Sequence, residues 1–289
     1  MSRLATTPKG SSGKSWLRSE PRASTSGALS GSRTLETASL VCASLDCALL
    51  AGAACAPRPA PHSLTIAAAA DLNFALEQVG REFRTAHPEV ALQIDYGSSG
   101  TFYTQLHNRA PFDVFLSADV EYARKLASEG LGASDSVFTY AVGRIVVWVP
   151  ADSPLDPATA LREPAVRHVA IANPQHAPYG RAAEAALRSM GLYDTVEKKL
   201  VLGENISQTL QFVESGAAEV GIVALSLARA PSVRAAGRYW EIPIAAYPKL
   251  EQGGIVLKPS RAASEFRAFL LDARGRRVLK QFGFYLPGE

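Results

Sequence analysis

The chain has 289 residues, of which 47% are hydrophobic and 20% are charged, and this composition allows one large α/β unit or two modest lobes. Its formal net charge is +3, but residues 1–56 carry six basic and three acidic side chains, so residues 57–289 are neutral. A neutral body argues against nucleic-acid binding, because that function needs a basic face that releases counterions from the phosphates.

Residues 1–56 are interpreted as an N-terminal extension and export signal. Residues 45–56 form a short apolar run that ends in small residues, which is typical of a secretory signal and its cleavage site. The run is too short and too polar to remain as a membrane anchor. An alternative is that Cys55 becomes a lipidated N-terminus, although Gly52 stands where a lipobox usually has Leu. Both alternatives predict a periplasmic protein, and because all three cysteines lie in this stretch, its mature body forms no disulfide.

The predicted elements of the body alternate between short apolar strands and helices. The first strand begins at Leu64, and the next segment carries Leu72, Leu76, Val79 and Phe83 at helical spacing. Further strands are predicted at residues 90–94, 113–116, 143–149, 168–172, 199–202, 219–223, 239–244 and 254–257. Further helices are predicted to begin at residues 101 and 122 and to span residues 181–190, 206–214 and 263–281.

This alternation predicts an α/β fold with mainly parallel sheets covered by helices on both faces. It divides the body into a first lobe, residues 57–143, a second lobe, residues 144–241, and a tail, residues 242–289. The tail is too short to fold alone, so we expect it to return to the first lobe. The chain then crosses twice between the lobes, near residues 141–144 and 242–246, and these crossings would form a hinge.

Four turns share one design, because each lies between a strand and a helix. Each turn therefore directs a helix N-terminus, with unpaired N–H groups and a partial positive charge, toward the end of a strand. In an open α/β sheet, ligands bind beyond these strand ends. The turns carry hydroxyl and small residues but no Lys or Arg, and they predict a cage for a small anion. They lie at residues 69–72, 97–101, 177–180 and 203–207.

Several motifs over the whole body resemble the periplasmic molybdate-binding proteins of ABC importers. The similarity begins at about Leu64 and continues to the C-terminus. The motifs that carry it are Ala67-Ala-Ala-Ala-Asp-Leu72, Tyr96-Gly-Ser-Ser-Gly-Thr101, Pro111-Phe-Asp-Val-Phe-Leu-Ser-Ala-Asp119, Asn173-Pro-Gln-His-Ala-Pro-Tyr-Gly180, Gly203-Glu-Asn-Ile-Ser-Gln208, Gly221-Ile-Val223 and Phe282-Gly-Phe284.

The resemblance implies a type II-like periplasmic-binding-protein fold, in which two lobes with mixed, mainly parallel sheets are joined by a hinge. It implies a binding protein rather than an enzyme, which closes on one tetrahedral oxyanion, molybdate or tungstate, and delivers it to the membrane permease of an ABC importer. We expect a monomer with no resident cofactor and no cation site, because molybdenum is bound as its oxyanion.

The family motifs also imply the binding residues. Asp71 stands where relatives have Ser or Asn, Ser99 would donate its hydroxyl and backbone N–H, and Ile206 would donate its backbone N–H. Tyr179 matches relatives that use a tyrosine hydroxyl in this turn. Some relatives instead have a ligand tyrosine after the Gly-Ile-Val strand, where this chain has Ala224, so we expect Tyr179 to supply the missing hydroxyl.

Asp71 is the difficult position, because a carboxylate about 4 Å from an anion is repelled by roughly 4 kcal/mol per unit charge at an effective dielectric of about 20. Our hypothesis is that the Asp71 side chain caps the following helix while its backbone N–H faces the ligand. The cage would then consist of neutral donors, which discourages protonated phosphate because its proton finds no acceptor. A plain helix cap without any ligand role remains an alternative.

The other positions also have structural alternatives. Ser99 is compatible with an ordinary turn, and Tyr179 with a packed aromatic ring whose hydroxyl lies in solvent. Asn205 and Gln208 resemble a capping pair, which leaves Ile206 to act through its backbone alone. His176 is the one histidine near the turns, and we interpret it as a surface loop residue.

The residues bear on two alternative functions. A serine hydrolase needs a base beside its nucleophile, and no Gly-x-Ser-x-Gly motif is present; no His, Cys and carboxylate spacing indicates a metal site. The second alternative is a binding protein with the same fold whose ligand is sulfate, phosphate or an organic anion. For a carboxylate ligand, Arg181 is the one arginine beside a predicted ligand turn.

Overall fold

The computed structural model describes residues 62–289. The predicted export signal and Cys55 lie outside this range. Ten strands are present in it: β1 His62–Ala69, β2 Val90–Gly97, β3 Val114–Ser117, β4 Phe138–Gly143, β5 Ile145–Pro150, β6 Val169–Ala172, β7 Leu200–Gly203, β8 Val220–Ala224, β9 Gly237–Glu241 and β10 Leu250–Val256.

Ten α-helices accompany these strands in the same part of the chain. They are α1 Asn73–Ala86, α2 Ser99–His107, α3 Val120–Ser128, α4 Pro178–Ser189, α5 Tyr193–Val196, α6 Ile206–Glu214, α7 Leu225–Ala228, α8 Pro231–Ala236, α9 Arg261–Leu271 and α10 Ala273–Gln281. Within residues 62–289, none of the helices combines the length and the apolar character that crossing a membrane requires.

The strands form two five-stranded sheets. The first has the order β2-β1-β3-β10-β4, and the second has the order β7-β6-β8-β5-β9. In the first sheet β1 runs parallel to β2 and β3, while β10 runs antiparallel to β3 and β4. In the second sheet β6 runs parallel to β7 and β8, while β5 runs antiparallel to β8 and β9. The predicted α/β fold with two mixed sheets is therefore confirmed, and its antiparallel share is larger than the strand–helix alternation indicated.

The chain passes between the sheets at two places. At the first, β4 ends at Gly143 and β5 begins at Ile145, so a single residue, Arg144, separates strands of different sheets. At the second, the chain leaves β9 after Glu241 and enters the first sheet with β10. The sequence predicted one strand over residues 143–149 and missed β4. The prediction failed because β4 and β5 form one nearly continuous apolar run, and hydrophobicity does not reveal that its two halves belong to different sheets.

The predicted C-terminal helix, residues 263–281, is two helices. Asp272 separates them with an extended backbone and a carboxylate that accepts hydrogen bonds from the N–H groups of Arg274 and Gly275, at 2.8 and 3.1 Å. A carboxylate that accepts such bonds caps a new helix start. The apolar spacing continues through the break, which is why it was not visible in the pattern.

Helix α1 shows how the apolar spacing forms the core. Leu76, Val79 and Phe83 of this helix are completely buried. The ring of Phe83 meets Phe266 and Phe269 of α9 edge-on, with centroids 5.3 and 5.5 Å apart. Such pairs add stability beyond the burial of their area. The C-terminal helix α9 is therefore packed on α1, an element of the first part of the chain.

Candidate functional site

The four predicted turns meet around one small cavity. The first two follow β1 and β2 of the first sheet, and the other two follow β6 and β7 of the second sheet. The cavity is lined by residues of all four turns and by Ala118, and its volume is about 10 Å³, or room for about one water molecule. The residues predicted as ligands are all among the lining residues: Asp71, Ser99, Tyr179 and Ile206. Among the described residues, no Lys or Arg lines it.

Ser99 begins helix α2 and is 1% exposed. Its Oγ accepts a hydrogen bond of 3.0 Å from the backbone N–H of Ala118. A hydroxyl that accepts through its oxygen still has its hydrogen to donate. The bond from Ala118 therefore fixes the Ser99 oxygen and leaves its hydrogen available to donate.

The side-chain cap of α6 does not use the backbone N–H of Ile206. Asn205 is the cap, and its Oδ1 accepts from the N–H groups of Ser207 and Gln208, both at 3.0 Å. Gln208 accepts in return from the N–H of Glu204 at 2.6 Å. The predicted capping pair is thus confirmed. The first N–H of a helix has no partner within the helix, and Ile206, the first residue of α6, lines the cavity.

The predicted capping role of the Asp71 side chain is wrong. A short 3-10 helix, Ala70–Leu72, precedes α1, and neither helix has a side-chain cap. Asp71 is 1% exposed, and its Oδ2 accepts hydrogen bonds from the Tyr179 hydroxyl at 2.9 Å and from Gln252 Nε2 at 2.6 Å. The additional helical turn removes Asp71 from the extended conformation that a cap requires, and its carboxyl group contacts Tyr179 and Gln252 instead.

Burial raises the pKa of Asp71 from its ordinary value to about 7, although the hydrogen bonds from Gln252 and Tyr179 lower it. The remaining oxygen, Oδ1, is buried and has no hydrogen-bond partner within residues 62–289. The site therefore contains a carboxyl group that titrates near neutral pH. This corrects the expectation of a cage with neutral donors alone.

Tyr179 is 2% exposed, so the alternative in which its hydroxyl lies in solvent is wrong. The hydroxyl donates to Asp71 and accepts a hydrogen bond of 3.1 Å from Gln252 Nε2. It also lies directly against the backbone of Gly143, where the Cβ of any other residue would collide with it. Gly143 is thus required for the close approach of α4 to the end of β4.

Gln252 was not among the residues predicted for the site. Its side chain is completely buried in β10, and its Nε2 donates to the Asp71 carboxyl group and to the Tyr179 hydroxyl. No local signal marked it, because Gln252 stands between Glu251 and Gly253, outside the strand predicted at residues 254–257. Nothing local indicated that this stretch lies beside the first turn, 181 residues earlier in the chain.

Further hydrogen bonds join the turns of one sheet to those of the other. Two hydroxyls from helices that follow strands of the second sheet donate to carbonyls of the first turn. Ser207 donates to Ala70 at 3.0 Å and Ser226 donates to Asp71 at 2.7 Å. In the opposite direction, the hydroxyl of Ser98 and the N–H of Gly100 donate to the carbonyl of His176, at 2.6 and 2.9 Å. These bonds bring together the two sheet ends that enclose the cavity.

Three other residues have positions that bear on the predictions. His176 is not a plain surface residue, because its carbonyl bridges the two sheets and its side chain is only 23% exposed. Arg181 does not line the cavity; it pairs with Asp119 at 2.8 Å and donates to the Tyr122 hydroxyl at 3.2 Å. Ala224 ends β8, is completely buried and does not line the cavity either.

Comparison with known proteins agrees with this geometry. Residues 64–285 match the family described as bacterial extracellular solute-binding protein. The chain is 36% identical over 232 residues to the molybdate-binding protein ModA of Rhodobacter capsulatus, covering 78% of this chain and 90% of the relative. It is 36% identical over 239 residues to ModA of Azotobacter vinelandii, covering 81% of this chain and 93% of the relative.

Among solved structures, the periplasmic molybdate-binding protein of Azotobacter vinelandii superposes with a TM-score of 0.72 at 31% identity. The match covers 78% of this chain and 99% of that protein. Its family consists of binding proteins and not of enzymes. The chain belongs to the molybdate-binding protein ModA family of bacterial extracellular solute-binding proteins.

Proposed function

We propose that this protein captures molybdate or tungstate outside the cytoplasm and delivers it to an ABC importer. The observation that carries the proposal is the meeting of four strand–helix turns at one cavity, with no Lys or Arg among its described lining residues. Fixed N–H and O–H donors satisfy the oxygens of an anion without a counter-charge. The similarity to ModA proteins supports molybdate as the cargo.

The donors proposed for the oxyanion come from both sheets. Ser99 contributes its hydroxyl and backbone N–H, and Ile206 contributes its backbone N–H. Tyr179 contributes its hydroxyl in place of the tyrosine that some relatives have at the position of Ala224. Its single hydrogen, which Asp71 Oδ2 accepts in this structure, turns to the oxyanion on binding. Asp71 contributes its backbone N–H.

Lobe closure is the proposed binding motion. The first lobe would consist of residues 57–143 with the returning tail, residues 242–289, and the second lobe of residues 144–241. The membership of the strands in the two sheets supports this division. The crossings near residues 141–144 and 242–246 would act as the hinge, and the hydrogen bonds from Ser98 and Ser226 would form on closure.

The cellular setting is proposed from the family and from the N-terminal sequence. Extracellular solute-binding proteins function outside the cytoplasm, and residues 45–56 resemble an export signal. We propose that the mature protein is a periplasmic monomer that docks on a membrane permease. Cleavage of the signal and lipidation of Cys55 are the two alternatives for its N-terminus.

Ligand-dependent stabilisation of the purified protein tests the cargo. A ligand at about a thousand times its Kd stabilises a protein by about 4 kcal/mol, which is visible as a shift in Tm. We expect molybdate and tungstate to raise Tm, and a dicarboxylate to leave it unchanged because Arg181 is already paired with Asp119. Sulfate and phosphate are the competing cargoes. The absence of a shift with both molybdate and tungstate would overturn the proposal.

A further inference from the structure

Asp71 is the one acidic residue among the described residues that line the cavity. Its two carboxyl oxygens have different surroundings. Oδ2 accepts two hydrogen bonds, from Tyr179 and Gln252, whereas Oδ1 is buried and has no partner within the described part of the chain. Burying a carboxyl oxygen without a hydrogen-bond partner costs free energy. The described residues supply no such partner to Oδ1.

The groups around Asp71 do not neutralise it. The titratable groups that act on it are the phenols of Tyr179 and Tyr140, and burial raises the pKa of both well above the ordinary value for tyrosine, so both stay neutral. The remaining polar groups nearby are neutral, namely Gln252 of β10, Ser207 of α6 and Ser226 of α7. No cation contributes to the pKa of Asp71 in residues 62–289.

An ionised Asp71 is incompatible with a dianion in the same buried cavity, because like charges that share a site raise the pKa of the acid. A proton on Oδ1 solves both problems at once. It removes the negative charge, and it converts the unpartnered acceptor into a donor that a ligand oxygen can accept.

We propose that oxyanion binding is coupled to the uptake of one proton by Asp71, whose Oδ1 then donates a hydrogen bond to the anion. The inference rests on the proposed function of the site. The proton comes from solvent and stays on the carboxyl group, and no bond of the anion breaks. A deprotonated oxyanion such as molybdate therefore binds together with one proton from solvent.

The coupling depends on pH. In this arrangement of the two sheets, without an anion, the pKa of Asp71 is about 7. The fraction of a proton taken up from solvent therefore rises through the neutral range and approaches one at higher pH. Correspondingly, the Kd for molybdate rises about tenfold for each pH unit above the pKa and is nearly constant below it.

Isothermal titration calorimetry of molybdate binding tests the coupling in pairs of buffers that differ in ionisation enthalpy. The difference in apparent enthalpy gives the number of protons taken up by the wild-type protein. We expect this number to rise toward one between pH 6 and pH 8. The measurement uses the wild-type protein alone, so it does not depend on the folding of a variant.

Two variants assign the proton to its carboxyl group. Asp71→Asn cannot titrate and still offers an N–H donor, so we expect no proton uptake and a Kd independent of pH. Asp119→Asn is the matched control, because Asp119 is a half-buried carboxylate near the cavity that pairs with Arg181. This variant retains the wild-type proton uptake.

The possible failures are distinguishable. If neither molybdate nor tungstate binds, the proposed function is wrong. If molybdate binds to the wild type without proton uptake at pH 8, the proton coupling alone is wrong. Proton uptake that persists in Asp71→Asn overturns the assignment of the proton to Asp71 and does not affect the proposed ligand.

Discussion

The Tyr179 hydroxyl donates a hydrogen bond of 2.9 Å to Oδ2 of Asp71, and this bond connects the start of α4 in one half of the molecule to the turn after β1 in the other. The two residues are 108 positions apart in the chain. Both line the cavity, so the same pair of atoms takes part in the contact between the sheets and in the chemistry of the proposed binding site.

Tyr179→Phe tests the hydroxyl as a ligand donor. The substitution retains the buried ring and removes one hydrogen bond to a charged group, which is worth about 1.5–3 kcal/mol. We expect the Kd for molybdate to increase by about tenfold to a hundredfold, measured by calorimetry at constant pH. Tyr193→Phe is the control, because the Tyr193 ring stacks on Arg188 away from the cavity. A Kd in Tyr179→Phe equal to that of the wild type would exclude the hydroxyl from binding.

Gln252→Leu tests the positioning of the Asp71 proton. Gln252 lowers the pKa of Asp71 through its hydrogen bond, so its removal raises that pKa above about 7. We expect the midpoint of proton uptake on molybdate binding to move to higher pH, which a loss of packing alone does not cause. The exposed Gln281→Leu, in α10, serves as the control. An unchanged midpoint in Gln252→Leu would contradict the assigned role.

The stability of the protein without oxyanion is expected to depend on Asp71. Burial raises its pKa from the ordinary value of 3.8 to about 7 in the folded state, so the folded protein binds more protons than the unfolded chain between these values. The contribution of Asp71 to stability is therefore fully present below about pH 4 and is lost as pH rises through 7, with a total change of about 4 kcal/mol.

Urea unfolding of the wild type and Asp71→Asn between pH 4.5 and pH 8 measures this effect. The difference between the two free energies of unfolding isolates Asp71 from the other titrating groups. We expect the wild type to lose stability relative to Asp71→Asn as pH rises. A difference that stays constant with pH would show that the folded-state pKa of Asp71 is ordinary.

Arg181→Gln tests the pair with Asp119 as a contact that holds the closed protein together. The pair connects α4 to the residue that precedes α3, and both side chains are partly exposed, at 40% and 30%. Such pairs are worth about 1 kcal/mol or less. We expect the molybdate dissociation rate, measured by stopped flow, to rise by about threefold.

The matched control for this experiment is Arg188→Gln. Arg188 lies on the same helix as Arg181 but pairs with Glu184 of that helix, so it makes no contact across the cavity. Its dissociation rate should equal that of the wild type. Equal effects of both substitutions would attribute the change to α4 itself rather than to the contact with Asp119.

Local sequence patterns predicted most of the elements and the location of the site. The capping pair Asn205 and Gln208 was visible because a helix cap depends on residues within one turn of each other. The break at Asp272 and the boundary between β4 and β5 were not visible. In both cases the apolar pattern continues across a change of direction, and the change depends on which distant element each segment packs against.

The sequence by itself determined that four turns without Lys or Arg join four strands to helix starts, because strand and helix periodicity and turn chemistry are local properties. The tertiary structure alone decided what Asp71 does. Its environment consists of Tyr179 and Gln252, residues 108 and 181 positions away, together with nearly complete burial. A pKa depends on burial and on neighbours in space, so no pattern along the chain indicates that this carboxyl group titrates near neutral pH.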